Sequence, residues 1–156
     1  GTDTLADAGG VDRLNLSALT NNLTVDLSST SFTDGGNSVT WSGTPLEDVI
    51  TGSGNDTMTG NNADNQLEGG AGNDTYLSLG SHTGQDVITD TAGSADVASF
   101  VGLNTTAATW ELLDQDGDGN IDGLLIDKGS DNTVTIDNYF DDKNYFVDSL
   151  WQVVKS

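Results

Sequence analysis

The 156-residue sequence predicts an all-β fold assembled from short repeats, and three observations carry that expectation. A nine-residue period recurs along the middle of the chain, and a large apolar residue returns at its eighth position. No convincing long amphipathic helix is found anywhere. Composition agrees with both. Of 25 acidic residues only three are glutamates (Glu47, Glu68, Glu111), which leaves 22 aspartates, and aspartate is a poor helix former that favours turns.

The period is clearest over residues 51–77, which read TGSGNDTMT, GNNADNQLE and GGAGNDTYL. Each unit opens on small or polar residues, carries Asp56, Asn65 or Asp74 sixth, and places Met58, Leu67 or Tyr76 eighth. Two looser units follow. Residues 81–89 carry Gly84, Asp86 and Ile88, and residues 91–99 carry Asp96 and Ala98, with 78–80 an insertion and Asp90 a spacer. Asp3-Thr4-Leu5 and Asp12-Arg13-Leu14 repeat the signal nine residues apart around Gly9-Gly10. The chain therefore opens in mid-pattern and reads as a piece of a longer one.

Between the two arrays, residues 22–29 (NLTVDLSS) and 37–41 (NSVTW) alternate like short strands about an Asp34-Gly35-Gly36 turn. Beyond residue 100 the pattern changes. Residues 108–113 (ATWELL), 123–127 (GLLID) and 132–140 (NTVTIDNYF) read as strands joined by polar turns. The apolar end, 145–154 (YFVDSLWQVV), fits a strand or a short helix, and periodicity does not decide between them. Three regions result: 1–46, a repeat remnant with a β segment; 47–99, the nonapeptide array; and 100–156, a β-rich cap.

The nine-residue unit has a physical logic. Glycines permit a tight turn at positive φ and leave backbone carbonyls exposed. The sixth residue adds a carboxylate, and the last three form a short strand whose apolar residue points inward. Oxygen ligands of this kind suit a hard cation such as Ca²⁺. The net charge of -21 destabilises any compact state by self-repulsion, so the chain is either disordered or neutralised by bound cations. An Asp/Gly-rich solvated linker would explain the acidity but not the apolar residue at each eighth position.

The units resemble the G-G-x-G-x-D-x-U-x nonapeptides of haemolysin-type calcium-binding (RTX) repeats, over about residues 47–150 and most closely over 51–96. The resemblance implies a right-handed parallel β-roll (an RTX β-solenoid) with two units per coil, closed by a β-rich C-terminal cap similar to that of adenylate cyclase toxins. It also implies calcium between stacked turns of one side, held by carbonyls and by Asp two units apart. Carried over, a first site pairs Asp56 with Asp74, completed by carbonyls of Thr51, Gly52, Ser53 and Gly54 and of Gly69, Gly70, Ala71 and Gly72. A second pairs Asp74 with Asp96. A third joins Gly60, Asn62, Asp64 and Asn65 to Gly84 and Asp86; there Asn65 replaces Asp and Ala63 replaces glycine, which points to a weak or empty site. Asp3 and Asp12 fall on opposite sides of a coil and lack good partners.

A second, independent motif is D-x-D-x-D-G-x-x-D, formed by Asp114, Asp116, Asp118, Gly119 and Asp122, with Asn120 a further candidate ligand. Leu125 stands where an EF-hand would supply a bidentate Glu, and no flanking helices are evident. A calcium loop closing a β-hairpin is expected, against an ordinary acidic turn. Trp110, Tyr139, Phe140, Phe146 and Trp151 are the candidates to plug the open end of the roll, which would otherwise expose strand edges and core. An aromatic ligand platform is their alternative use.

Little material for catalysis exists. His82 is the sole histidine, cysteine is absent, and no G-x-S-x-G, H-E-x-x-H or phosphate-binding glycine loop occurs. Arg13, Lys128, Lys143 and Lys155 are too few and scattered for a basic patch, which disfavours nucleic acid and anionic membranes. No apolar run is long enough to cross a bilayer. The expectation is a non-enzymatic calcium-binding module of a larger secreted bacterial protein, extracellular or at the cell surface. It would fold on Ca²⁺ after export, with type I secretion implied by the resemblance; its partners are calcium ions and the rest of the parent chain. The alternative is a calcium-dependent adhesin-type module for a polysaccharide or cell-surface ligand, with Trp41, Tyr76 and His82 as hints of an exposed binding face.

Overall fold

A computed structural model of the chain describes residues 2–6, 9–34, 37–43, 45–77, 79–93, 95–104, 106–119, 122–137 and 149–150, with side chains described outside 2–6, 37 and 149–150. Among these residues the fold is all-β, and no helix is long and apolar enough to cross a membrane. The strands are β1 (Thr2–Ala6), β2 (Arg13–Asn15), β3 (Thr24–Asp26), β4 (Ser31–Asp34) and β5 (Asn37–Ser42). The array supplies β6 (Asp48–Ile50), β7 (Thr57–Thr59), β8 (Gln66–Glu68), β9 (Thr75–Leu77), β10 (Gln85–Thr89) and β11 (Val97–Ala98). The C-terminal region supplies β12 (Thr109–Leu113), β13 (Gly123–Gly129), β14 (Asn132–Asp137) and β15 (Ser149–Leu150).

From β6 to β11 consecutive strands alternate between two sheets. One runs β1-β5-β4-β3-β7-β9-β11-β15 and the other β12-β13-β14-β10-β8-β6-β2. All pairings within the array are parallel and in register, so Met58 lies beside Tyr76 and Leu67 beside Val49 and Ile88. The three-residue strands bury their middle residue and leave its neighbours half-covered, as the alternation of side chains across a strand requires. The eighth-position residues Met58, Leu67, Tyr76, Ile88 and Ala98 are all fully buried. At about 1.5–3 kcal/mol for each large apolar side chain, these stacks are the adhesive between the sheets.

Each parallel ladder is extended by antiparallel strands, at opposite ends of the array. β3, β4 and β5 form an antiparallel meander preceding β7, and β12, β13 and β14 form another beyond β10. The expected segment 22–29 thus narrows to β3, and Ser31–Asp34, which sequence reading had not singled out, is a strand with Phe32 in the core. Gly35 and Gly36 of the expected turn lie outside the described residues, as do Tyr139, Phe140, Phe146 and Trp151. Trp110 is not a buried plug: it is 44% exposed and meets Phe100 edge-on, and Phe100 fills the interior instead. Trp41 and Tyr76 are interior as well, so they do not form an exposed face.

Candidate metal centre

The alternation of strands places the turns of the array in two columns. Among the described residues, the first consists of 51–56, 69–74, 91–93 and 95–96, which lead into β7, β9 and β11; the second of 42–43, 45–47, 60–65 and 81–86, which lead into β6, β8 and β10.

In the first column the sixth-position aspartates stack coil upon coil. Leu23 N–H donates to Asp56 Oδ1 (2.8 Å), Asp56 N–H to Asp74 Oδ1 (2.7 Å) and Asp74 N–H to Asp96 Oδ1 (2.7 Å). All three carboxylates are buried. Each spends one oxygen on the neighbouring coil, while the buried Oδ2 atoms of Asp56 and Asp74 have no hydrogen-bond partner. Leaving such an atom unsatisfied costs about 1–3 kcal/mol, and more where it is charged.

The turns themselves are drawn close. Ala71 N–H donates to Gly52 O (2.9 Å), stacking the Gly69–Gly72 turn on Thr51–Gly54, and Gly72 N–H donates to Ala92 O (3.0 Å). Gly70 and Gly72 have φ of 87° and 124°, and a Cβ at either would fall on the carbonyl oxygen of Gly52 or Gly54. A Cβ on Gly69 would strike Asp74 Oδ2. The structure thus brings the expected carbonyl-bearing turns and the paired aspartates together, with glycine at the points of closest approach.

One residue of this column was missed. Asp90, read as a spacer, is buried and has a carboxylate oxygen within 4.8 Å of those of Asp74 and Asp96. Tyr76 OH donates to its Oδ2 (2.7 Å). Burial and the charges of Asp90, Asp56 and Asp96 push the Asp74 carboxyl up to about 8, against the Asp56 N–H that favours the anion. Burial likewise raises Asp90 to about 7, with Asp96 adding repulsion and the Tyr76 hydroxyl opposing it. Packing like charges out of water is what a bound cation relieves. Unsatisfied buried carboxylate oxygens and a hard-oxygen donor set both fit Ca²⁺.

The second column is made differently. Asn65 holds its two amide hydrogens on Glu47 O (2.9 Å) and Asn61 Oδ1 (3.0 Å), and Asn61 in turn donates to Leu46 O (2.8 Å). Asn62 and Asp64 are exposed and accept Thr83 N–H (3.1 Å) and Gln85 N–H (2.8 Å) as outer rungs between coils. A Cβ on Gly84 would meet Ala63 O, so the coils pack as closely here as in the first column. Asp86 accepts Asn65 N–H (3.2 Å) and faces the Lys128 ammonium at 3.5 Å. Asp12 N–H donates to Glu47 Oε2 (2.9 Å), so Asp12 stacks on this column and is not isolated. The side chain of Asp3 lies outside the described residues.

The loop 114–122 joins antiparallel β12 and β13, a hairpin as expected. Asp114, Asp116 and Asp118 gather carboxylate oxygens within 4.8 Å of one another on the exposed surface. Asp114 accepts Gly117 N–H (2.8 Å) and Gly119 N–H (3.1 Å), and Asp122 accepts Gln115 N–H (2.8 Å), which wraps the loop around its acidic centre. Asn120 lies outside the described residues.

Among curated proteins compared with the chain, none matches. The family described as "Peptidase M10 serralysin C terminal" matches residues 3–148, across both turn columns and the hairpin loop. The chain belongs to that serralysin C-terminal family, the RTX-type repeat region of serralysin-like proteins and a part distinct from their catalytic portion.

Proposed function

We propose that this chain is a calcium-binding RTX module of a larger secreted protein, and that calcium drives its folding after export. The observation that carries the reading is the first column: three stacked, buried aspartates joined by Asp90, with the Oδ2 atoms of Asp56 and Asp74 lacking any hydrogen bond. One site is assigned to Asp56, Asp74 and the carbonyls of their turns, and the next to Asp74, Asp90 and Asp96. A further, exposed site is assigned to the 114–122 loop. Alternation of short strands between two parallel ladders supports a right-handed parallel β-roll for 47–99, with the segment after residue 100 as its β-rich close, of the kind found in adenylate cyclase toxins.

The energetics support a switch. With a dissociation constant of about 0.1 mM and about 1 mM external calcium, each of the two buried first-column sites adds roughly 1.4 kcal/mol by mass action. Together they contribute about 3 kcal/mol, a substantial share of the 5–15 kcal/mol typical of whole domains. At cytosolic calcium this contribution is lost while the repulsion of a -21 chain remains. An unfolded chain inside the cell and a folded one outside suits type I secretion. Far-UV circular dichroism in EGTA and then in millimolar calcium tests this. A coil-to-β transition is expected, and identical folded spectra in both would remove the switch.

A further inference from the structure

The second column contains a cradle of the same chemistry, and its centre is held by a side chain. Lys128 stands on β13, in the hairpin that extends the array. Its ammonium donates to His82 O (2.9 Å) and Leu79 O (3.1 Å) and lies 3.5 Å from Asp86 Oδ2. The Lys128 and Asp86 side chains are 6% and 4% exposed. Turn carbonyls together with the sixth-position aspartate are the donor set read as a calcium half-site in the first column. Here one turn carbonyl (His82 O), the carbonyl of Leu79 in the insertion before the turn, and the sixth-position Asp86 meet an ammonium that carries three donors. One coil earlier, the Asn65 and Asn61 amides direct neutral donors onto Glu47 O and Leu46 O. Asp86 Oδ2 is therefore paired where Asp56 Oδ2 and Asp74 Oδ2 are not.

We propose that Lys128 is a tethered cation occupying a latent metal site, so that the Asp86 coil carries its positive charge covalently and takes no calcium while the lysine is in place. This rests on the reading of the turns as calcium cradles. A buried carboxylate left alone would be strongly destabilising, and the lysine supplies its counter-charge at any calcium concentration. The same contact depends on the hairpin being docked. Gly84 N–H donates to Asn132 Oδ1 (2.8 Å) and Thr133 N–H to Gly84 O (3.0 Å), so the segment that delivers the ammonium also closes that edge of the array. Completion of this coil is thereby coupled to docking of the cap, whereas completion of the first column is coupled to the ion.

The test is the number of calcium ions bound at saturation, counted by isothermal titration calorimetry on the full chain as wild type, Lys128→Met, Asp86→Asn and the double variant. Lys128→Met is expected to bind one ion more than wild type, and the double variant to return to the wild-type number. Asp86→Asn alone is expected to leave it unchanged. A folded Lys128→Met with the wild-type number overturns the inference, as does an Asp86→Asn protein that has lost one ion. Should Lys128→Met fail to fold at any calcium concentration, the Asp86→Asn count decides. A wild type that binds no calcium is a different signature: it removes the calcium reading of the first column and the stand-in role of the lysine with it.

Discussion

The two turn columns share one backbone design and answer its central electrostatic problem in opposite ways. Both stack their sixth positions coil upon coil, and in both a glycine allows close approach to the carbonyl of the coil before. In the first column Asp56, Asp74, Asp90 and Asp96 are buried, the last three bring carboxylate oxygens within 4.8 Å of one another, and the Oδ2 atoms of Asp56 and Asp74 have no donor. In the second the donors are built in: the amides of Asn61 and Asn65, and the ammonium of Lys128. On the proposed reading, a cradle of turn carbonyls requires positive charge or hydrogen-bond donors, not a metal as such. Which of these fills it is set by the sixth residue and by whatever reaches it from elsewhere in the fold.

The sharpest way to break this comparison is Asp74→Ala. Asp74 belongs to both proposed first-column sites; its Oδ1 accepts the Asp56 N–H, and its own N–H donates to Asp96 Oδ1. Losing a charged ligand that serves both is expected to raise the calcium midpoint of folding by about tenfold or more. Calcium titration followed by circular dichroism reads this, and an unmoved midpoint would mean that the carboxylate is not a ligand.

Converting one column toward the other comes next. Asn65→Asp removes the donors to Glu47 O and Asn61 Oδ1 and adds a buried charge. It is expected to destabilise the calcium-free protein by about 1–3 kcal/mol, with much of the loss recovered in calcium. Urea denaturation with and without calcium measures both values; equal losses in the two conditions would contradict the idea that the columns are interchangeable.

Protons offer a milder probe. Asp74 is raised to about 8 and Asp90 to about 7, from an ordinary value of 3.8. A raised carboxyl pKa means that the folded, ion-free chain holds protons which the unfolded chain has released. Its stability therefore falls as pH rises from about 4 through 8, and increases on acidification over the same window. In EGTA the folded fraction is expected to grow as pH drops from 8 toward 5, read by circular dichroism, while calcium affinity weakens. A folded fraction that shrank instead would count against buried, mutually repelling carboxylates.

The smallest effect is expected at the hairpin loop. Asp114, Asp116 and Asp118 are exposed, and solvent already screens them. Asp116→Asn is expected to abolish one calcium ion in calorimetry while changing global stability by no more than about 0.5 kcal/mol. A large shift in the unfolding midpoint would show that the loop, too, is part of the structural ion set.

Much of the fold was legible because its signal is local and periodic. The eighth-position residues from Met58 to Ala98 point inward as the nonapeptide demands, and the acidic loop closes the hairpin of β12 and β13. What escaped depends on contacts that no period records. Asp90 reads as an interruption because it follows β10 directly, outside the sixth position of any unit, yet the chain returns it beside Asp74. An aspartate six residues before Asp96, next to a run of array units, was the available signal. Lys128 could not be placed from spacing, since the hairpin that carries it reaches the Asp86 turn through tertiary packing. Tyr76 and Trp41 are ambiguous by type, because an aromatic ring with a polar tip suits a surface as well as a core; Tyr76 buries its ring and satisfies its hydroxyl on Asp90.

The central claim, that one column demands ions and the other supplies its own donors, is tested most directly by anomalous diffraction from wild-type crystals grown in calcium. Peaks are expected between the Asp56, Asp74 and Asp96 turns, with none beside Asn65 or Asp86. Peaks distributed equally over both columns, or a first column without any, would contradict it.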